Sequence, residues 1–507
     1  MRCSVWARLA LSFAWCLSAC SPLTAYRTDV PSDASARPEP PCEIEDSDGR
    51  VAGRCAALTH EASKDYDLYF AEFDDQGWPQ EAGPAGGASR QLDYVVDRLR
   101  QTLAEDPRVS LVLFVHGWKH TAQSTDPNVG TFRKVLRGIR HIETVGATAC
   151  GRRVVGVYVG WRGSSLAVDE RIQNVSFWDR KNTAEKVAQG SVRELFARMR
   201  ALQEAANRRQ TQALARGTGD PCQDHPTRSM VIGHSFGGLI VYSLLAQSLI
   251  RDAVDFQEAS RLAGSEQVQA RPILPREGDL VLLLNPAIEA TRFDALARAV
   301  QRGMPYRFYH APMFVSITTT GDLATRIAFP LGRRISTLFE RYTPDVRREQ
   351  QAADLKTLGQ DERYVTMDLM TLEQHNQAAA EGERLAEPAA CAGYTSRPDD
   401  APESLLAWHV RREQANFAAF KQSLGDPPSA GRDLLRLFCG EHAMVLRLAT
   451  GGRPGSPAAG DPNSPLWNIR TRAPILKDHG DLQNDLLLQF VRQLYLDSQD
   501  RSLSFTR

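Results

Sequence analysis

The sequence predicts an α/β fold: a mostly parallel central sheet flanked by helices, with a long, mainly helical insertion before the last strand. Three observations carry this. Apolar runs of strand length alternate with helical segments through the middle of the chain. One run ends in a glycine-flanked serine turn. A final apolar run and helix stand far downstream, beyond an irregular stretch.

The elements follow in order. Asp67–Phe73 alternates and reads as an antiparallel edge strand. Val109–His116 is a continuous β-branched and aromatic run, as expected of a strand covered on both faces. Phe132–Ile142 is helical, Val154–Val159 is the next strand, and Thr183–Ala206 is helical again. Met230–Gly233 is a strand, Gly237–Ile250 its helix, Asp279–Asn285 a buried strand, Arg292–Gln301 a helix and Phe314–Thr319 a strand. This βαβα order implies parallel strands joined by right-handed crossovers. Leu323–Glu349 has helical spacing and many arginines, interrupted by Pro330 and Pro344. Its basic stretch Arg333–Arg348 reads as a solvated helix face. Tyr364–Leu369 fits a strand, Ser404–Ser423 and Arg432–Leu448 fit helices, Leu466–Leu476 a last strand and Asp481–Leu496 a closing helix.

The serine turn is Gly233-His234-Ser235-Phe236-Gly237-Gly238, between Met230-Val231-Ile232 and Leu239-Ile240-Val241. A side chain at either flanking glycine would collide with the neighbouring strand or helix, so the turn can hold Ser235 strained with its hydroxyl exposed. Here the chain resembles the α/β-hydrolase superfamily, whose nucleophile elbow reads G-x-S-x-G. The resemblance covers about residues 109–322 and 466–497 and implies the chain order Ser, Asp or Glu, then His. Ser235 is then the nucleophile, Asp322, in Thr320-Gly321-Asp322, the orienting acid, and His479, in Lys477-Asp478-His479-Gly480-Asp481, the base. Glu289 is the alternative acid and His375 the alternative base. Val115-His116-Gly117-Trp118 resembles the family's oxyanion loop, which implies that the backbone N–H groups of Trp118 and Phe236 bind the developing oxyanion. His116 and Trp161 are candidates for substrate contact, with Arg162 beside them for an anionic group. A structural His116 and a core Trp161 are the competing reading.

Asp322 and His479 stand 157 positions apart (479 − 322), a longer gap than most family members have, so residues 323–465 read as a cap inserted into a core of 61–322 and 466–507. The resemblance implies a serine hydrolase for carboxylic esters. Lipase, thioesterase and amidase chemistry use the same triad, and a non-catalytic binding protein on this scaffold is the alternative.

The ends and the composition bound the setting. Arg2 and Arg8, then the apolar Leu9–Leu17, then Leu17-Ser18-Ala19-Cys20 resemble a bacterial lipoprotein signal, residues 1–19, cleaved before Cys20. The resemblance implies lipidation of Cys20, with residues 20–60 as anchor and tether, and Ser21 implies the outer membrane. Formal net charge is zero, so nothing draws the chain to nucleic acid. Beyond Cys20, six cysteines remain, and an oxidising compartment suggests the pairs Cys42–Cys55, Cys150–Cys222 and Cys391–Cys439. No C-x-x-C or H-E-x-x-H spacing occurs, so neither metal nor cofactor is expected. The expected partners are a small-molecule or lipid ester and, through the anchor, a membrane.

Overall fold

The computed structural model describes residues 25–31, 56–80, 89–145, 150–163, 177–217, 222, 225–267, 280–302, 311–379, 384–386, 404–423, 434–440, 443–449, 461 and 463–499. Its strands are β1 His60–Ala62, β2 Asp67–Phe73, β3 Val109–Val115, β4 Arg153–Trp161, β5 Arg228–His234, β6 Leu280–Leu284, β7 Phe314–Thr319, β8 Met367–Thr371, β9 Leu434–Phe438, β10 Met444–Leu448 and β11 Leu466–Thr471. Its helices are α1 Arg90–Glu105, α2 Pro127–Thr144, α3 Phe177–Gln189, α4 Val192–Ala215, α5 Phe236–Gln267, α6 Ala290–Gln301, α7 Phe329–Ser336, α8 Arg347–Leu355, α9 Leu372–Ala378, α10 Leu405–Ser423 and α11 Asp485–Gln499; a π-helical turn, Ala324–Ala328, leads into α7.

The strands form one sheet in the order β1-β2-β4-β3-β5-β6-β7-β11-β8-β10-β9. From β2 to β8 every neighbour is parallel, whereas the outer pairings β1–β2, β8–β10 and β10–β9 are antiparallel. The alternation within β3 shows how both faces are used. Leu111, Leu113 and Val115 enter the core under α1 and α3–α6, and Val112 and Phe114 enter the core under α2, α10 and α11. A parallel strand buried on both sides needs such an unbroken apolar run.

Local signals explain where helices start. Ser89 caps α1 by accepting from Leu92 N–H, and Asp126 caps α2 by accepting from Asn128 N–H, with Pro127 at the first helical position. A disulfide joins Cys150, before β4, to Cys222, before β5, as expected from the sequence. Cys439 is also disulfide-bonded. Its expected partner Cys391, and both members of Cys42–Cys55, lie outside the described residues, as do residues 1–20 with Cys20.

Several expectations are corrected. Asp67–Phe73 runs parallel to β4 and is no edge, because His60–Ala62 covers its free side. The tether ends earlier than residue 60. Arg27 is fully buried, held by Glu61 at 2.9 Å, and Asp29 bridges to Leu58. Segment 323–465 is mainly helical among its described residues, as expected, but it is not only a cap: β8, β10 and β9 extend the central sheet, and β8 lies directly beside the last strand β11. Arg432–Leu448, read as helical, contains the hairpin β9–β10. The last strand, read to Leu476, stops at Thr471.

Candidate active site

Strand connections leave β3 toward β4 and leave β5 toward β6, in opposite directions. Between two such adjacent parallel strands a crevice opens at the carboxyl edge, the usual ligand site of an open α/β sheet. The end of β3 carries Gly117-Trp118 there, and the end of β5 carries Ser235.

Ser235 has φ +55°, in the left-handed region that L residues avoid. It sits between the last residue of β5 and the first of α5, and its carbonyl accepts from Leu239 N–H at 3.3 Å and Ala287 N–H at 3.1 Å. Nothing larger than glycine fits beside it: a Cβ on Gly237 would stand 2.0 Å from the Val115 carbonyl oxygen. The oxyanion-loop candidate is equally close, since a Cβ on Gly117 would lie 2.8 Å from Ser235 Cβ. Phe236 is the first residue of α5, where backbone N–H groups have no intrahelical acceptor and the helix dipole is positive.

Ser235, His479 and Asp322 form one hydrogen-bonded line. His479 Nε2 accepts from the Ser235 hydroxyl at 2.7 Å, and His479 Nδ1–H donates to Asp322 Oδ2 at 2.7 Å. That tautomer follows from the partners, because a carboxylate can only accept. Asp322 is fully buried, and its other contacts come from Thr325, whose N–H donates to Oδ1 at 3.0 Å and whose hydroxyl donates to Oδ2 at 2.7 Å. Burial pushes the Asp322 carboxyl up, but the hydrogen bond and charge of His479, with the two bonds from Thr325, hold it below the ordinary carboxylate range. The arrangement lets a serine hydroxyl pass its proton to a neutral imidazole while the carboxylate fixes the ring and meets the imidazolium.

Two residues outside the triad, of which the sequence reading missed Asn285, hold His479 in place. Asn285, at the end of β6 with φ +44°, donates from Nδ2 to the carbonyls of Asp478 and His479, both at 3.1 Å, and accepts from Thr319 N–H at 3.0 Å. His234 Nε2–H donates to the same His479 carbonyl at 2.9 Å. Burial first, then the neighbouring His479, carries the His234 imidazole well below its ordinary range, so it works as a neutral donor. The sequence did carry a signal for Asn285: a polar amide closing the run Leu280–Leu284 at the carboxyl edge.

The remaining candidates fall elsewhere. His116 and Trp161, expected at the substrate, are enclosed and stacked on each other at 5.6 Å. His116 Nδ1–H donates to the Gly117 carbonyl at 2.9 Å, its Nε2 accepts from Trp161 N–H at 3.0 Å, and Trp161 Nε1–H donates to the His116 carbonyl at 2.9 Å. Both side chains therefore brace the loop that carries Trp118. Arg162 pairs with Asp75. Glu289 pairs with Lys181 and Arg292, each at 2.8 Å, and does not reach His479. His375 lies in α9, after β8, with β6, β7 and β11 between β8 and the Ser235 strand. An aromatic group flanks the nucleophile turn: Phe177 packs on Phe236 at 4.8 Å and on Trp118 at 5.2 Å, and Trp178 packs on Phe329 at 5.7 Å. No group of side chains among the described residues could hold a metal ion.

The chain matches no family model, no curated protein and no solved structure.

Proposed function

We propose that this chain is a serine hydrolase of the α/β-hydrolase type, cleaving carboxylic esters through an acyl-enzyme on Ser235. The observation that carries the reading is the line Ser235 Oγ–His479–Asp322, with 2.7 Å at each link. Its parts arrive in the chain order of that superfamily, and the serine sits on a strained strand-to-helix turn.

In this mechanism Ser235 Oγ attacks the ester carbonyl carbon as its proton moves to His479 Nε2. The carbonyl oxygen becomes an oxyanion facing the N–H groups of Trp118 and Phe236, and each such donor contributes about 10²–10³ in rate. The tetrahedral intermediate collapses, the bond to the alcohol oxygen breaks, and the imidazolium protonates the departing alkoxide. Water then gives a proton to His479 and attacks the acyl-enzyme. Collapse releases the acid and returns the proton to Ser235. Asp322 stays ionised throughout. The aromatic group beside Phe236 favours an apolar acyl chain.

The setting belongs to the same proposal: acylation of Cys20 would hold the enzyme on the bacterial envelope, at the outer membrane. Among the described residues no helix is long and apolar enough to cross a membrane. Hydrolysis of p-nitrophenyl esters, compared among the parent chain, Ser235→Ala and His479→Ala, tests the enzyme reading. Turnover in the parent that both variants lose supports it; a parent inert on every acyl length removes it.

A further inference from the structure

The π-helical turn and α7 break the rule for a surface helix. Their inner face is apolar: Phe329 is fully buried beneath Trp178 and beside Phe177. Their outer face is apolar too. Leu323, Ile327, Leu331 and Ile335 recur every fourth residue and are exposed, and Leu338 and Phe339 continue the ridge, Phe339 at 91% exposure and Ile335 at 79%. A helix apolar on both faces is normally covered on both. Contiguous exposed apolar side chains of this size mark an interaction surface.

Two observations identify what covers it. First, the charge around the ridge is positive. Residues 323–349 hold six arginines and three acids, net +3 (6 − 3), in a chain whose formal charge is zero. Arg326, Arg334 and Arg341 are exposed between the apolar positions. Large apolar side chains projecting among arginines are the composition of a segment that lies in the interface of an anionic bilayer. Second, the chain enters the fold at the same edge of the sheet. The N–H groups of Tyr26 and Arg27 donate to Glu72, which is paired with Gly160 near the carboxyl ends of β2 and β4. Ser235, Asp322 and His479 all lie at that edge. Cys20 is five positions before Ala25 (25 − 20), so a lipid on it reaches the membrane within about 18 Å of this edge.

We propose that the ridge Leu323–Phe339 docks on an anionic lipid surface and seats the Ser235 crevice against it, so that the substrate is an ester of a membrane-resident acyl lipid. This rests on the hydrolase reading for its chemistry, but not for the docking. The ridge is coupled directly to the site, because Thr325 in the π-helical turn makes two hydrogen bonds to the Asp322 carboxylate, beside the one from His479.

The test measures co-sedimentation of the chain carrying Cys20→Ser and Ser235→Ala with vesicles of phosphatidylcholine alone or mixed with phosphatidylglycerol. Removing both lipidation and hydrolysis leaves the ridge as the variable. The expected result is binding to the mixed vesicles that weakens about a hundredfold in Leu331→Ser/Ile335→Ser/Phe339→Ser, from three apolar insertions lost. Arg334→Glu/Arg341→Glu should abolish the preference for phosphatidylglycerol at low salt. These positions are exposed, so the melting midpoint of each variant should stay near the parent's. Absence of vesicle binding, or equal binding by parent and triple variant, overturns the proposal. So does a parent dimer that the triple variant dissolves without any vesicle binding, which would make a second copy the occupant. Vesicle binding by a chain whose Ser235 form hydrolyses no ester would instead overturn the hydrolase reading and leave the docking intact.

Discussion

Replacing Asn285 by alanine isolates what holds the base in place. Three hydrogen bonds disappear: one from Thr319 N–H at 3.0 Å and two to the carbonyls of Asp478 and His479 at 3.1 Å. At about 1 kcal/mol each, their loss costs about 3 kcal/mol. Alanine must also adopt φ +44°, which adds about 1 kcal/mol. The expected destabilisation is about 4 kcal/mol, read as a shift in the urea midpoint. Glycine at the same position loses the same bonds without the conformational penalty, so Asn285→Gly should be more stable than Asn285→Ala despite being smaller. The proposed catalytic effect is separate. His479 keeps one of its anchors, the bond from His234 at 2.9 Å, and a misplacement near 1 Å costs about 10² in kcat. Because both anchors grip one carbonyl, Asn285→Ala combined with His234→Phe should lose more than the two single losses multiplied. Kinetics are compared where each variant is fully folded. Asn285→Ala with the parent's kcat, or alanine and glycine equally destabilising, would rule out this role for Asn285.

Other expectations are more direct. Asp322→Asn should fold and lose about 10⁴ in kcat, since the amide presents no anion to the His479 Nδ1–H; a loss below tenfold would contradict the assigned role. Burial lowers the His116 imidazole to about 4, whereas in the unfolded chain it takes a proton near 6.5. The unfolded state therefore binds the extra proton between these values. The contribution is intact above pH 6.5 and falls by about 3 kcal/mol as pH drops toward 4. The urea midpoint should fall over that window, and His116→Phe should flatten the fall. Cys150→Ala/Cys222→Ala opens a link across 72 positions and should cost about 4 kcal/mol at equilibrium, with an unchanged midpoint as the contrary result.

What was legible in the sequence was local or stood in chain order. The parallel strands β3–β7 announce themselves because a strand covered on both faces must be continuously apolar, and the elbow because its glycines answer a close approach. The Ser–Asp–His order came with the family resemblance, and the three side chains do meet. The hairpin β9–β10 was not legible, because Leu434, Leu437 and Phe438 fit a helical repeat as readily as two short strands. Nor was the place of β8 between β11 and β10, which depends on pairing with residues far away along the chain, Met367 with Ile469 on one side and with Leu448 on the other. Trp161 shows a different limit. Its position after β4 is the same for a pocket wall and for a brace, and only the hydrogen bond from its indole to the His116 carbonyl decides between them. Asn285 and His234 act through backbone carbonyls 193 to 245 positions away, and no spacing rule records such contacts.

If Ser235 is a nucleophile activated by His479, labelling of the folded chain with a fluorophosphonate, followed by mass-spectrometric mapping of the adduct, reads it out directly. One adduct is expected, on Ser235, lost in Ser235→Ala and strongly slowed in His479→Ala. No adduct on Ser235 in the folded parent, or labelling of Ser235 at the same rate without His479, would contradict it.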